Sequence, residues 1–195
     1  TAGPLAMPGL LHAQNAPTPR RGGTLKVALL GLDTADPHRH AGSIAVQQVY
    51  AETLTSIGDD GTVRPFLAER IDSSADGRTY TFHLRKNVRF HNGRAMTSAD
   101  VKANFERVRD KVKGGWLTGA MKLARNIETP SPDVLRVELA NAHAPFLNLL
   151  SELWIVAPES EGWNETIRRP IGTGPFKFGT WQPDVSFQAP AFDQY

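Results

Sequence analysis

Two histidines lie two residues apart in a polar segment that also contains two aspartates. His38 and His40 follow Asp33 and Asp36 within residues 33–42. Imidazole and carboxylate groups bind zinc and other transition metals, so one interpretation is a two-histidine site completed by an aspartate. The other interpretation, which we favour, is a pair of solvated loop histidines. We therefore expect no metal site here.

The sequence contains none of the motifs that mark a catalytic centre. It has no cysteine, which excludes disulfides, thiolate catalysis and thiolate-bound metals. It has no phosphate-binding G-x-x-x-x-G-K-[ST] loop, no H-E-x-x-H motif and no G-x-S-x-G nucleophile elbow. Gly172-Thr173-Gly174 lacks the third glycine of a dinucleotide fingerprint, and Pro175 obstructs a helix start there. We expect no catalytic residue, no cofactor and no enzymatic activity.

Two tryptophans are candidates for contact with a ligand. Trp116 follows Gly114-Gly115, in a predicted loop between two helices, and Trp154 opens an apolar segment. A buried core position is the usual place for a tryptophan. The alternative is the wall of a pocket, where a rigid apolar ring stacks on a ligand at low entropic cost. The spacing leaves both interpretations open.

Composition and charge argue against nucleic-acid and membrane-embedded classes. The chain has 195 residues, of which 40% are hydrophobic and 22% charged, as in a folded globular protein. Lys and Arg number 22 against 20 Asp and Glu, and the longest basic stretch, residues 102–113, also contains Glu106 and Asp110. Nucleic-acid binding needs a concentrated positive surface, so we do not expect it. No stretch after residue 23 approaches the ~18 apolar residues of a membrane span.

The first residues resemble the end of an export signal. Residues 1–21 place apolar side chains before a small and polar run, with a cleavage site expected after Ala13 or Ala16. The alternative is a disordered, proline-rich arm. We expect export, with residues 1–23 forming a signal remnant and leader.

Hydrophobic periodicity predicts mixed α and β structure. In the first half we expect a strand at 24–30, a loop at 33–42, a helically spaced segment at 43–57, and a hairpin of strands 69–73 and 79–84. Thr97 and Asp100 have the spacing of a capping box, which predicts a helix that ends near Lys113.

The second half continues the same mixture. We expect a short helix at 117–124, a hairpin of 127–129 and 134–139, a helix from Pro145 to Leu150, a buried strand at 154–156, an extended turn at 170–175, and strands at 176–181 and 185–189.

Five stretches in order resemble the amino-terminal part of the family 5 extracytoplasmic solute-binding proteins, the receptors of ABC importers for oligopeptides, dipeptides and nickel chelates. They are residues 22–38, 49–69, 76–107, 141–158 and 170–181. The third is the most diagnostic. It contains a hairpin, then L-R-x-x-V-x-F-H-x-G, the capping Thr97 and A-D-V.

The resemblance implies an α/β (mixed α+β) fold, namely the first lobe of a two-lobed, type II-like periplasmic binding protein with an inserted α+β subdomain. On that pattern residues 24–65 begin the first lobe, 66–169 form the inserted subdomain, and 170–195 return to the first lobe. The final F-D-Q-Y resembles the N-P-x-Y with which the family continues. We therefore expect a truncation that lacks the second lobe, and a polypeptide that does not bind its solute tightly by itself.

The resemblance also assigns three candidate ligand-binding residues. His40 falls in a loop that lines the cleft, and Trp116 matches the tryptophan of a W-L pair that faces the solute. Trp154 precedes I-V-A-P, where nickel-chelate receptors place an arginine. A tryptophan there argues against a carboxylated metal chelate and favours a less charged or peptidic solute.

The function implied is capture of peptides or similar small solutes by cleft closure and delivery to the membrane subunits of an ABC importer. We expect a soluble, periplasmic monomer with no cofactor. The alternatives are a solute-sensing lobe, a hydrolase and a stand-alone interaction module without a transport role. The export remnant argues against the sensor, and the missing nucleophile motif argues against the hydrolase.

Overall fold

The computed structural model describes residues 22–28, 34–39, 44–183 and 185–195. Its helices are α1 (Ile44–Tyr50), α2 (Ser98–Asp110), α3 (Thr118–Met121) and α4 (Phe146–Leu149). Its strands are β1 (Glu52–Thr53), β2 (Thr55–Ile57), β3 (Val63–Pro65), β4 (Ala68–Ser73), β5 (Thr79–Leu84), β6 (Ala124–Ser131), β7 (Val134–Leu139), β8 (Trp154–Ile155), β9 (Trp181–Gln182) and β10 (Ser186–Phe187). The fold is mixed α and β.

A four-stranded antiparallel sheet in the order β4-β5-β7-β6 is the largest β element in the described part of the chain. Alternation along β5 buries Tyr80, Phe82 and Leu84 and leaves the residues between them partly exposed. A period of two puts these three side chains on one face of the sheet, where they enter the core. Both predicted hairpins are confirmed, because β4 pairs with β5 and β6 pairs with β7.

Helix α2 covers the apolar face of this sheet. At its start the Asp100 carboxylate accepts the backbone N–H of Thr97 at 2.8 Å and the Thr97 hydroxyl at 2.9 Å. Val101, Phe105 and Val108 are completely buried at helical spacing and share one core cluster with the sheet residues. The predicted helix is confirmed, although it ends at Asp110 rather than near Lys113.

A second, smaller cluster joins α1 to β8. It contains Tyr50 and Trp154, among other residues. The prediction of helical spacing through residue 57 is wrong beyond Tyr50, because residues 52–53 pair with β8 and residues 55–57 pair with β3. Backbone pairing with a strand distant in sequence, β8, and with the nearby strand β3 overrides the local apolar pattern.

Two other strand predictions differ from the structure. Residues 24–28 form no strand, and Leu25 is 88% exposed. No described strand pairs with this segment, and a strand without a partner gains no ladder hydrogen bonds. At the other end, strands predicted at 176–181 and 185–189 shorten to the two-residue pair β9 and β10.

Glycines allow the segment 172–174 to pack directly on the end of α1. A Cβ on Gly172 would lie 1.8 Å from the Tyr50 carbonyl oxygen, and one on Gly174 would lie 2.8 Å from the Tyr50 carbonyl carbon. The backbone N–H of Gly174 donates to that same oxygen at 3.1 Å. Only residues without a side chain permit this approach. In the described ranges, no helix is long and apolar enough to cross a membrane.

Replacement of Phe105 by Ala tests the α2 interface. Phe105 is 0% exposed, so Phe105→Ala removes a completely packed ring, and we expect the free energy of unfolding to fall by about 3–5 kcal/mol. The matched control is Phe176→Ala, because Phe176 is 42% exposed and loses much less buried area. Denaturant titration of both variants measures the difference. Equal losses would contradict the burial described here.

Candidate functional site

The most completely satisfied buried charge in the described structure is Arg107 on α2. Its side chain is 1% exposed, and it forms a bidentate ion pair with Asp36 through Nη1 at 3.0 Å and Nη2 at 2.6 Å. Nη1 also donates to His38 Nδ1 at 2.7 Å. Nε donates to the carbonyl oxygen of Trp163 at 2.7 Å, and Nη2 donates to that of Glu165 at 3.1 Å. All five N–H groups of the guanidinium are therefore used.

Asp36 organises the loop that precedes α1. Its carboxylate accepts the backbone N–H of His38 at 3.0 Å and that of Ile167 at 3.0 Å, in addition to Arg107. Burial is the largest single influence and raises the pKa of this carboxyl group, but the hydrogen bonds and charge of Arg107, the neighbouring His38 and the Ile167 N–H together outweigh burial and hold the pKa of Asp36 below its ordinary value. The loop is thus anchored by a carboxylate that stays ionised.

His38 is a buried polar residue and not a solvated one, so the favoured interpretation of this histidine is wrong. It is 5% exposed, and Nε2 lies 2.8 Å from the carbonyl oxygen of Trp154. Because a carbonyl only accepts and a guanidinium only donates, the proton is assigned to Nε2, and Nδ1 accepts from Arg107. The interpretation of a solvated histidine fails because Arg107, on a helix distant in sequence, pairs with Asp36 in this loop and contacts the His38 ring.

His38 brings together the segments of the three predicted site residues. It lies two residues before His40, which itself is outside the described residues. Its ring binds the backbone of Trp154. Its carbonyl oxygen lies 3.3 Å from the position of a Cβ on Gly115, the residue before Trp116. The backbones at positions 38, 115 and 154 therefore meet at one place.

The two described tryptophans differ in exposure. Trp116 lies in the turn between α2 and α3, as predicted, and is 49% exposed. Trp154 is 3% exposed and packs in the second cluster with Tyr50, while its indole Nε1 has no hydrogen-bond partner within the described part of the chain. About half of the Trp116 side chain is therefore accessible to solvent, whereas Trp154 is buried and has one indole N–H group without an acceptor among the described residues.

Sequence analysis missed two further buried polar residues, Arg107 and Gln47. Arg107 was part of a basic stretch, and no local pattern distinguishes it from exposed neighbours. Gln47 on α1 is 1% exposed, and its Oε1 lacks a partner among the described residues. A detectable signal for Gln47 was its position next to Val46 on the apolar side of a short helix.

The described residues near His38 form no metal cluster. Among the described residues, no three histidine, aspartate or glutamate side chains are grouped to hold a metal ion. A cavity of about 350 Å³ lies elsewhere, lined by Glu52, Thr173 and Tyr195 among others, and neither Trp116 nor Trp154 lines it. Burial raises the pKa of Glu52 there, although the Tyr195 hydroxyl donates to its carboxyl group at 3.0 Å.

Comparison with known proteins identifies the family of this chain. The model of the bacterial extracellular solute-binding proteins, family 5, middle region, matches residues 62–195. The chain belongs to this family. The resemblance inferred from the five stretches is therefore confirmed. Relatives in this family are named for the solutes that they bind.

Two relatives come from Escherichia coli K12. The dipeptide-binding protein is 33% identical over 159 residues, which are 68% of this chain and 30% of that protein. The nickel-binding periplasmic protein is 33% identical over 149 residues, which are 72% of this chain and 28% of that protein. The chain thus spans less than a third of the length of these relatives.

A solved structure shows that the fold is shared as well. NikA from Brucella suis in complex with Fe(III)-EDTA is 31% identical, with a TM-score of 0.75 over 85% of this chain and 34% of that one. The mixed α/β fold of this family 5 chain therefore corresponds to one part of a longer binding protein.

Acid titration tests the anchoring role of Asp36. Because its pKa is lower in the folded chain, this carboxylate contributes stability above its unfolded pKa near 3.8, and the contribution is lost as the pH falls through the folded pKa. We expect Asp36→Asn to lower the free energy of unfolding at pH 7 by about 3–5 kcal/mol, because Arg107 is left buried and unpaired. The loss of stability with acid should also become less steep in this variant.

The control for Asp36→Asn is Asp72→Asn. Asp72 is 54% exposed and pairs with Arg70 at 3.1 Å on the surface, where an ion pair contributes about 0–1 kcal/mol. Denaturant titrations from pH 7 down to pH 3 compare the two variants. A loss for Asp36→Asn no larger than that for Asp72→Asn would contradict the anchoring role.

Proposed function

We propose that this chain is the first-lobe portion of a solute-binding receptor that serves an ABC importer. The observation that carries the proposal is the convergence on His38 of the segments that hold His40, Trp116 and Trp154. Family membership supports it, since the relatives are named as binding proteins. The receptor binds its solute without chemical change, is exported to the periplasm and acts as a monomer.

The proposed contacts follow from the chemistry of the described side chains. The half-exposed ring of Trp116 offers an apolar surface whose side chain has few rotatable bonds, so it loses little entropy when a solute covers it. The unpartnered N–H of Trp154 is a donor for a solute carbonyl or carboxylate. We place His40 in the wall of the same cleft.

Charge favours a peptide or a similar small solute over an anionic metal chelate. Arg107 is bound to Asp36, and Arg39 lies 3.5 Å from the same carboxylate while donating to the Glu165 carbonyl oxygen. The two arginines that contact Asp36 are thus engaged within the protein. A chelate with several carboxylates needs cations that remain available.

The proposed mechanism is ligand-linked closure. Residues 24–65 and 170–195 belong to the first lobe and residues 66–169 to an inserted subdomain, and a second lobe completes the cleft. The open and closed forms exchange, and the solute shifts the population because it binds the closed form more tightly. The membrane subunits of the importer then receive the solute from the closed form.

Solute titration of the complete gene product tests the proposed function. Alanyl-alanine, Ni²⁺ and Fe(III)-EDTA are added separately while tryptophan fluorescence and binding heat are recorded. We expect saturable binding of the dipeptide and no binding of Fe(III)-EDTA, with the dipeptide recovered intact. Hydrolysis of the dipeptide, or binding of the chelate alone, would contradict the proposal.

Replacement of Trp116 tests its place in the cleft. We expect Trp116→Ala in the complete gene product to weaken dipeptide affinity by at least tenfold, because the stacking surface is lost, with little change in melting temperature. Ile57→Ala is the matched control, since Ile57 on β2 has the same exposed fraction of 49%. Similar affinities for the two variants would remove Trp116 from the site.

Trp154 needs a gentler substitution because its ring is packed. Trp154→Phe keeps an aromatic ring in the cluster and deletes the unpartnered N–H. We expect several-fold weaker dipeptide binding in the complete gene product, in line with about 0.5–1.5 kcal/mol for one hydrogen bond. Unchanged affinity, measured by calorimetry, would show that the solute does not accept this N–H.

A further inference from the structure

We infer that Arg107 is a positioning residue for the proposed solute site: through Asp36 and His38 it sets the relative positions of residues 36–39, which directly precede His40 in the sequence, and of the segments that carry Trp116 and Trp154. The inference rests on the proposed function, and it adds a residue on a different element, α2. The solute affinity of the receptor then depends on a side chain that the solute never contacts.

Arg107 itself has nothing left to offer a ligand. Its side chain is 1% exposed, and each of its five N–H groups already has an acceptor within the protein. The guanidinium also lies over the ring of Trp163, with Cζ 5.4 Å from the ring centroid. Its effect on binding must therefore be transmitted through the groups that it holds.

The first group that Arg107 holds is the loop before α1. The bidentate contact fixes the Asp36 carboxylate, which in turn accepts the backbone N–H of His38. The backbone N–H of Arg39 donates to the Asp36 carbonyl oxygen at 3.1 Å and closes the turn. These bonds fix the turn at residues 36–39, which directly precedes His40 in the sequence.

The second link runs through His38 to Trp154. Arg107 donates to Nδ1, which keeps the proton on Nε2 and aims it at the Trp154 carbonyl oxygen. Without the donor at Nδ1, the other tautomer would turn an acceptor toward that carbonyl oxygen, and the contact would be lost. The contact between His38 and the β8 backbone at Trp154 thus depends on the hydrogen bond that Arg107 donates to the other ring nitrogen of His38.

The third link joins Trp116 to the same loop. Gly115 packs against the His38 carbonyl oxygen, with 3.3 Å between that oxygen and a Cβ built on the glycine. The Thr118 hydroxyl donates to the Val112 carbonyl oxygen at 2.9 Å and ties the turn to a residue two positions beyond the end of α2 and five beyond Arg107. Helix α2 therefore positions both segments: the chain directly after its C-terminal end holds the turn with Trp116, and its Arg107 side chain holds the loop at residues 36–39.

A lysine at this position separates positioning from simple charge pairing. Arg107→Lys keeps a cation for Asp36, but an ammonium on a flexible stem cannot reach His38, Trp163 and Glu165 at the same time. If charge alone mattered, the lysine variant would behave like the original protein. If Arg107 positions the three segments, it would not.

The control is Arg94→Lys. Arg94 makes a bidentate contact with Asp100 at 2.8 and 2.9 Å and a further contact with Glu159 at 2.9 Å, near the opposite end of α2. Its contacts involve none of the residues that link the three segments. It therefore reports the effect of weakening an arginine network on the same helix without disturbing the proposed site.

The experiment is hydrogen exchange by mass spectrometry on the complete gene product, without any solute, followed by calorimetric titration with alanyl-alanine. We expect Arg107→Lys to accelerate exchange about tenfold or more at residues 34–39, 115–118 and 154–156 together, and to weaken dipeptide affinity at least tenfold. Arg94→Lys should leave all three segments and the affinity unchanged.

Faster exchange at 34–39 alone, equal effects of the two lysine variants, or unaltered dipeptide affinity in a protein with faster exchange would each overturn the inference. If the original protein binds no dipeptide, the proposed function fails separately, and the exchange data still decide whether Arg107 holds the three segments. Should Arg107→Lys not fold, His38→Ala keeps the Arg107–Asp36 pair. In that case we expect His38→Ala to accelerate exchange at residues 154–156. Unchanged exchange there would refute the link from His38 to Trp154.

Discussion

A guanidinium–carboxylate pair buried between α2 and the loop before α1 is the interaction on which the arrangement of this chain depends. Removing both charges from water costs several kcal/mol per ion, and their attraction offsets that cost only when the remaining donors and acceptors are also satisfied. Here Arg107 uses every N–H, and Asp36 binds two backbone N–H groups besides the guanidinium. The pair therefore constrains a loop, a helix and the turn at 163–167 to one geometry.

Helix α2 serves as the element between the two clusters. Its apolar side, with Val101, Phe105 and Val108, packs on the four-stranded sheet. On its polar side the Asn104 amide acts as a neighbouring strand would: Nδ2 donates to the Val156 carbonyl oxygen at 2.8 Å, and Oδ1 accepts the Val156 N–H at 3.1 Å. The four-stranded sheet and the segment that follows β8 therefore both contact the same helix. One helix that contacts both elements suits a scaffold that holds segments at fixed separations.

The same scaffold supports different solutes in the relatives, which are named for dipeptide and nickel binding. Such diversity is expected where the buried network is separate from the side chains that contact the solute, since the latter can change without loss of the fold. In this chain Trp116 is half exposed, whereas Arg107 and Asp36 are closed off from solvent. On the proposed function, different residues would therefore encode the solute preference and the geometry of the site.

Local patterns in the sequence were sufficient to predict the two hairpins, the capped start of α2 and the family. Strand alternation and a capping box depend on residues a few positions apart, so they are visible without a tertiary structure. The absence of a described partner strand for residues 24–28, and the pairing of residues 52–53 with β8 directly after α1, depend on residues distant in sequence and were not predictable in this way. The burial of His38 was missed for the same reason, because Arg107 lies 69 residues away along the chain. Sequence alone thus determined the two hairpins, the start of α2 and the family, and it proposed the candidate residues. Only the tertiary structure decided which charges are paired, because a buried ion pair is chosen by three-dimensional proximity and desolvation, and neither leaves a periodic signal in the sequence.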